Sequence, residues 1–502
     1  MLEQLRYETS MTRTENGALA YGTTGSFCLD FFASCGALRN ADKNDILSRF
    51  YKAFFEDRLT ALKTLFYARD VLGGLGERRV FRIILQDLAQ RHPEAVLANL
   101  ERIPELGRYD DLFVLLDTPC FEGVVQLVSR QLAIDLDAHS RKESVSLLAK
   151  WMPSENASSE ETKRKAKKLR RALGFSSVHY RQILSALRAG TRLIENSLRE
   201  KDYTFDYSMV PSKAMWKYRR AFSRNDGKRY EAFMQEARKN PSLLKTATLT
   251  PVDVIHPLYQ NGVLRYWGSN KPTAEEIEAA DITWNALENF CGDENALVVA
   301  DGSGSMYGFG DPAPIEVAMS LAIYIAQRNT GRFANHFITF SNKPKLVEVC
   351  GDTIFDQLFN CMKYNECANT DIEAVFRLIL DTAKKYGLPR EELPSRLYIL
   401  SDMEFDEGTD ASSLTIFQSM KEQYEKAGYT LPQVVYWNLQ SRHTHFPVAF
   451  NEQQVMLVSG YSPRTLKMIM SGNCTPWQIM TECLSSDRYA RIVTGQRDEN
   501  AV

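Results

Sequence analysis

Five consecutive apolar residues, Ala296–Ala300, end at the acidic Asp301, and no other stretch constrains this chain as much. An apolar run without polar alternation reads as a strand buried on both faces, the habit of parallel sheets. The residues that follow agree with this. The apolar spacing predicts helices over 314–327, 371–385 and about 412–427, and strands over 333–340, 345–350, 397–401, 433–439 and 454–459. Strands alternating with helices mean a doubly wound, mostly parallel sheet, expected to occupy residues 295–485 with a tail at 486–502.

In such a sheet, ligands bind beyond the carboxyl ends of the strands. There the chain reads Asp301-Gly302-Ser303-Gly304-Ser305. A carboxylate and two hydroxyls at alternate positions of one tight turn can converge on a point, and the glycines permit the backbone. Thr370, just before a predicted helix, and Asp402, just after a predicted strand, occur in the order that would complete the set. Asp371 competes with Thr370 for the second loop's contact. Oxygen-only ligation with few charges suits Mg²⁺ (or Mn²⁺). A lone DxSxS is as readily a turn or a helix cap, but three elements at strand ends and helix starts favour the cation.

The rest of the chain has a different texture. Residues 1–45 hold Gly17, Gly22, Gly25 and Gly36 around an apolar knot of Phe27, Leu29, Phe31 and Phe32, and read as an irregular lead-in. Phe55, Leu59, Leu62 and Phe66 then recur with helical period, and short helices punctuated by Pro93, Pro104 and Gly107 follow. They predict a helical-repeat body over 46–270, without a fixed repeat length. Residues 271–294, acidic and containing Pro272, read as a linker or boundary helix. The expected fold class is therefore α plus α/β in separate domains.

Charge is unevenly placed. Residues 141–250 hold 25 Lys/Arg against 11 Asp/Glu, a local excess of 14, so the remainder carries −16 of a total of −2. Such asymmetry suggests a polyanionic partner for one region. Lys163, Arg164, Lys167, Lys168 and Arg171 share one helical face, and Lys213, Lys217, Arg219 and Arg220 are interleaved with Trp216 and Tyr218. Cations would contact phosphates, and aromatics would stack on exposed bases. The alternative for each aromatic is core packing, with the cations as a solvated face.

Two resemblances follow from these residues. Asp301-x-Ser303-x-Ser305, then Thr370, then Asp402 resembles the metal-dependent adhesion motif of von Willebrand factor A domains. In that family the first Asp and both Ser are ligands, directly or through water, and a partner's carboxylate often completes the shell. The stretches RDVLGGLGERRVF (69–81), IPELGRYDDL (103–112), LLAKWMPSENASS (147–159) and YSMVPSKAMWKYRRAF (207–222) resemble the Ro autoantigen (TROVE) family, and more closely a relative of it. That resemblance implies a ring of helical repeats closed by the A-like domain. It also implies small structured RNAs bound outside the ring and single-stranded RNA ends bound in its basic hole.

Other features carry less. The stretch 73–76 (GGLG) lacks the P-loop pattern and reads as a helix stop. His443 and His445 form an HxH for which nothing nearby in sequence completes a zinc site, so they read as surface histidines. Asp110-Asp111 reads as a helix start. Nine scattered cysteines without CxxC pairs read as reduced thiols, many buried, and Cys28 and Cys35 have no histidine nearby for thiol catalysis. No apolar run approaches the ~20 residues of a membrane span, and the first eight residues lack the core of an export signal, so the expected compartment is the cytoplasm. The expectation is a non-enzymatic RNA-binding scaffold with a cation site, and the competing one is an adaptor in which the cation captures a partner's carboxylate.

Overall fold

The computed structural model describes residues 10–495 except 192, 260–271, 309, 366–368, 409–413 and 469–474. Its first segment is more regular than the sequence suggested. A hairpin pairs β1 (Met11–Arg13) with β2 (Leu19–Tyr21) in antiparallel register. Ser26 then caps the helix Phe27–Ser34 by accepting from Leu29 N, and every residue after Phe27 in that helix is buried. The apolar knot is thus a helix clothed in protein on nearly all sides, a pattern that lacks the amphipathic period by which helices are read.

Six strands form the sheet. They are β3 (Ala296–Ala300), β4 (His336–Thr339), β5 (Leu346–Glu348), β6 (Arg396–Ser401), β7 (Gln433–Asn438) and β8 (Val455–Ser459). Their order is β5-β4-β3-β6-β7-β8, parallel throughout except for the antiparallel β4–β5 pair. All residues of β3, β6 and β8 are buried, because helices cover both faces. On one face Leu297, Val299, Leu397, Ile399, Val434 and Tyr436 meet the helices Ile372–Tyr386 and Ile416–Lys426. On the other, the helix Pro314–Arg328 lies against β3, β4 and β6, with every residue from Pro314 to Ala326 buried. The helices Phe27–Ser34 and Pro476–Leu484 pack on β8. There a Cβ on Gly36 would sit 2.8 Å from Gly460 Cα, so only glycine fits. This is the doubly wound sheet expected. The helix Ile354–Met362 had no counterpart in the sequence reading, although Thr353 and Asp356 form its capping box.

Two compact units emerge, and the chain passes between them three times. One holds residues 1–57 and 232–486, the other 58–231 and 487–502. The residues expected to be a linker belong to the first unit. The helix Ala274–Asn285 begins at a Thr273/Glu276 capping box and buries Ala280 and Trp284. The period Phe55, Leu59, Leu62, Phe66 is not one helix. The helix Lys43–Glu56 ends at Asp57, a new one runs from Arg58 to Arg69, and Phe55 is 70% exposed while Leu62 and Phe66 are buried.

The second unit is helical in all its described elements. Its centre is ionic. Arg69 Nε donates to Asp111 Oδ2 at 2.7 Å and Arg82 Nε to Asp111 Oδ1 at 2.6 Å, with Arg69 and Asp111 almost wholly buried. Asp111 therefore does more than start the helix Tyr109–Leu112: it neutralises two arginines inside the unit. The stretch 73–76 is a helix stop, as expected, and a Cβ on Gly74 would collide with the Tyr67 carbonyl oxygen. Asp70 closes this turn by accepting from Leu72 N and Gly73 N, and it also binds Arg488 and Tyr489 of the chain's last segment. No described helix is long and apolar enough to cross a membrane.

Candidate metal centre

Parallel pairing puts the ends of β3 and β6 level. Ala300 faces Leu400 across the ladder, and Asp301 N donates to Leu400 O at 3.0 Å. Asp301 and Asp402 thus leave neighbouring central strands at the same edge, where the connections diverge to opposite sides of the sheet. Asp301 is fully buried. Its Oδ1 accepts Ser303 N at 2.9 Å, and its Oδ2 accepts the Ser401 hydroxyl at 2.6 Å. The turn this makes points the Ser303 and Ser305 hydroxyls at each other, 3.1 Å apart. A Cβ on Gly302 would lie 2.8 Å from Asn365 Oδ1, so any side chain there would press on Asn365.

Asp402, 2% exposed, accepts Glu404 N at 3.3 Å through Oδ1 and Arg442 Nη2 at 3.0 Å through Oδ2. The Ser305 hydroxyl of the first loop lies near enough to Asp402 to favour its charged form. Thr370 is buried just before the helix Ile372–Tyr386, and its carbonyl accepts from Asp406 N at 3.0 Å, four residues beyond Asp402. Asp371 caps that helix by accepting Ala374 N at 2.8 Å, which accounts for its carboxylate structurally.

Burial penalises the ionisation of both carboxylates. Burial, reinforced by the charge of Asp402, pushes the Asp301 carboxyl well above the usual carboxylate range despite the Ser401 and Ser303 hydrogen bonds. Burial also raises Asp402, against the pull of Ser305 and Arg442. A divalent cation would relieve this penalty for both groups. Each carboxylate oxygen has a second lone pair beyond the donor it already holds, and the two serine hydroxyls add neutral oxygens. Asn365 Oδ1, pressed against Gly302, is a buried acceptor without a hydrogen-bond partner among the described residues, and a cation-bound water would supply its donor. The donor set fits a hard cation such as Mg²⁺ or Mn²⁺.

Ser401 and Arg442 were not foreseen. The hydroxyl before Asp402 could have been flagged from its neighbour. Arg442 had no signal, since it reaches Asp402 from beyond β7, 40 positions along.

The basic residues lie in the helical unit, and the structure neutralises part of their face. Lys163 pairs with Glu160 at 2.7 Å, and Arg164 holds Asp117 at 2.6 and 3.0 Å. Lys168 reaches Asp117 at 3.1 Å and the Leu116 carbonyl at 2.5 Å. Lys167 and Arg171 are exposed, as are Lys213, Lys217 and Arg220. Arg219 stacks 4.0 Å above the Trp216 ring and donates to the Trp216 carbonyl. Trp216 and Phe222 are buried, so both rings are core.

Comparison with known proteins gives similarity without a function. A family model described as a domain of unknown function (DUF7788) matches residues 295–491, and a second one (DUF2828) matches 14–109 and 154–291. The chain is 28% identical over 506 residues to Uncharacterized protein L728 of Acanthamoeba polyphaga mimivirus, covering 92% of this chain and 85% of that protein. Among solved structures, the Deinococcus radiodurans Ro (RSR) protein aligns over 86% of this chain and 92% of its own, with 14% identity and a TM-score of 0.38.

Proposed function

We propose that this chain is a non-enzymatic binding scaffold. Its α/β unit holds one Mg²⁺ (or Mn²⁺) ion through Asp301, Ser303, Ser305, Thr370 and Asp402 and presents it to a carboxylate of a partner protein. The observation that carries this reading is the pairing of two buried carboxylates at adjacent strand ends, with the Ser303 and Ser305 hydroxyls between them. The likeness of these residues to the A-domain adhesion motif supports the open position for an acidic group. When bound, the cation supplies an electrophilic point for that carboxylate. The chain's part is to hold the oxygens in place: Ser401 fixes Asp301, and Arg442 fixes Asp402. The non-enzymatic reading rests on the role these bonds give the two carboxylates, which are held as ligands for the cation rather than set aside as a general base.

The test is capture of acidic peptides by the full chain. Binding should need Mg²⁺ or Mn²⁺, disappear with EDTA, and be absent in Asp301→Ala. Capture that persists in EDTA would overturn the reading.

A second reading, RNA binding by the helical unit, is favoured by one observation: Lys167, Arg171, Lys213, Lys217 and Arg220 stay exposed within a segment of strong positive excess. Small structured RNAs or single-stranded ends are the class that the Ro-like stretches suggest. Filter binding across salt concentrations tests it. Changing Lys167, Arg171, Lys217 and Arg220 to Gln should flatten the slope of log K against log salt by about 0.7 for each single-strand phosphate that these side chains neutralise. An unchanged slope would remove these residues from any RNA interface.

A further inference from the structure

His443 and His445 had no partner in the sequence, and the fold provides two. Glu404 stands two residues past Asp402, and Glu15 lies in the β1–β2 hairpin. His443 Nδ1 is 2.8 Å from Glu404 Oε1, and His445 Nε2 is 3.1 Å from Glu404 Oε2. The donor atoms of Glu15, Glu404 and His443 all fall within 4.8 Å of one another. We propose that Glu15, Glu404 and His443 form a second metal site that takes a Zn²⁺ ion, and that the ring of His445, beside Glu404, shifts to complete its nitrogen and oxygen donors.

Three observations carry this. The first is His445 itself, 7% exposed. Although its Nε2 lies near Glu404, it is off the line of a hydrogen bond and is a buried nitrogen without a hydrogen-bond partner among the described residues. Leaving such a nitrogen unsatisfied is costly, and coordination would satisfy it. The second is spacing. Tetrahedral zinc with bonds of about 2.0–2.1 Å holds its ligand atoms roughly 3.3 Å apart. Each imidazole stands at about this distance from a Glu404 oxygen, and Glu15, Glu404 and His443 lie within 4.8 Å of one another. The third is donor chemistry. Two imidazoles and two carboxylates are a borderline set that favours zinc over magnesium, whereas the Asp301 centre is oxygen only.

Glu404 and the hairpin beside it are already held in place without an ion. Glu404 Oε2 accepts Glu15 N at 2.7 Å, Asn16 Nδ2 donates to Glu404 O at 2.7 Å, and the Thr14 hydroxyl donates to Phe405 O at 2.6 Å. These bonds lay the hairpin across the segment after β6. Arg442 spans Glu15 Oε2 at 2.7 Å and Asp402 at 3.0 Å. A zinc ion here would therefore join three separate segments beside Asp402.

The full chain, stripped of metal by a chelator, is titrated with Co²⁺ as a zinc probe. One equivalent should bind with the intense visible absorption of tetrahedral cobalt, and Zn²⁺ should displace it. His443→Ala and Glu15→Gln change exposed side chains, and circular dichroism and melting check that both still fold. Each should lose the cobalt absorption, while Asp301→Ala keeps it. Absence of stoichiometric cobalt binding would overturn the proposal. So would a signal that survives His443→Ala, or one that is lost only in Asp301→Ala.

Discussion

At the scale of single residues the proposed metal centre rests on hydrogen bonds that hold acidic oxygens still. Ser401 is the clearest case. Its hydroxyl donates to Asp301 Oδ2 at 2.6 Å and accepts Met403 N at 3.0 Å, in a fully buried position. Ser401→Ala removes a hydrogen bond to a charged group and orphans a backbone N–H. It should lower stability in urea by about 1.5–3 kcal/mol and weaken cation binding as well. Equal stability to wild type in urea melts would show that the bond contributes nothing. The residues that mark the site were legible because a turn that converges oxygens needs small and acidic residues in fixed order, and Asp301, Ser303 and Ser305 supply it locally. Arg442, Glu404 and the burial of His445 were not legible. They meet Asp402 and Glu15 only through the register of β6 with β7 and the docking of the hairpin, which no local pattern encodes.

At the scale of elements, His256 joins the helix Pro251–Leu258 to the start of the helix Pro314–Arg328. Its Nδ1 lies 2.7 Å from the buried Glu316 Oε2, and its Nε2 lies 3.2 Å from Asp311. The Glu316 hydrogen bond raises the imidazole's pKa against the pull of burial, with the charges of Glu316, Asp311 and Asp253 adding to the rise. In an unfolded chain the group titrates near ~6.5. A raised folded value means that the contribution is complete below ~6.5 and is lost as pH climbs through the folded pKa. Wild type should therefore lose more thermal stability than His256→Gln between mildly acidic and mildly alkaline buffer. Parallel profiles for the two proteins would contradict the link. Gly74 is a sharper test of local geometry. Gly74→Ala drives a Cβ into the Tyr67 carbonyl and should cost about 1–3 kcal/mol, read as a lower denaturation midpoint. A midpoint equal to that of wild type would mean that the turn tolerates a side chain. Elements of the sheet were legible because β3, β6, β7 and β8 each contain an uninterrupted apolar run flanked by polar residues. The helix Phe27–Ser34 was missed because it is buried on nearly every side and so shows no period. The break at Asp57 was missed because Phe55 continues a helical spacing while pointing into solvent.

At the scale of the molecule, the chain leaves and re-enters each unit, so neither is a single continuous segment. The last described residues complete the helical unit. Arg488 and Tyr489 bind Asp70, Asn99 Nδ2 donates to the Val493 carbonyl, and Val493 N donates to Asn99 Oδ1 at 3.0 Å. Residues 58–231 expressed without the segment after Ser486 should therefore melt lower and exchange amide hydrogens faster around Asp70 than the same residues in the full chain. Identical protection would show the tail to be dispensable. Periodicity could not anticipate this return, since the closing bonds join residues some 400 positions apart. The central claim, a divalent cation at the ends of β3 and β6, is tested most directly by calorimetric titration of Mn²⁺ into the full chain carrying His443→Ala and Glu15→Gln, with and without Asp301→Ala. The account predicts one bound Mn²⁺ in the first protein and none in the second, both folded. Equal Mn²⁺ binding by the two would place the cation elsewhere and contradict it.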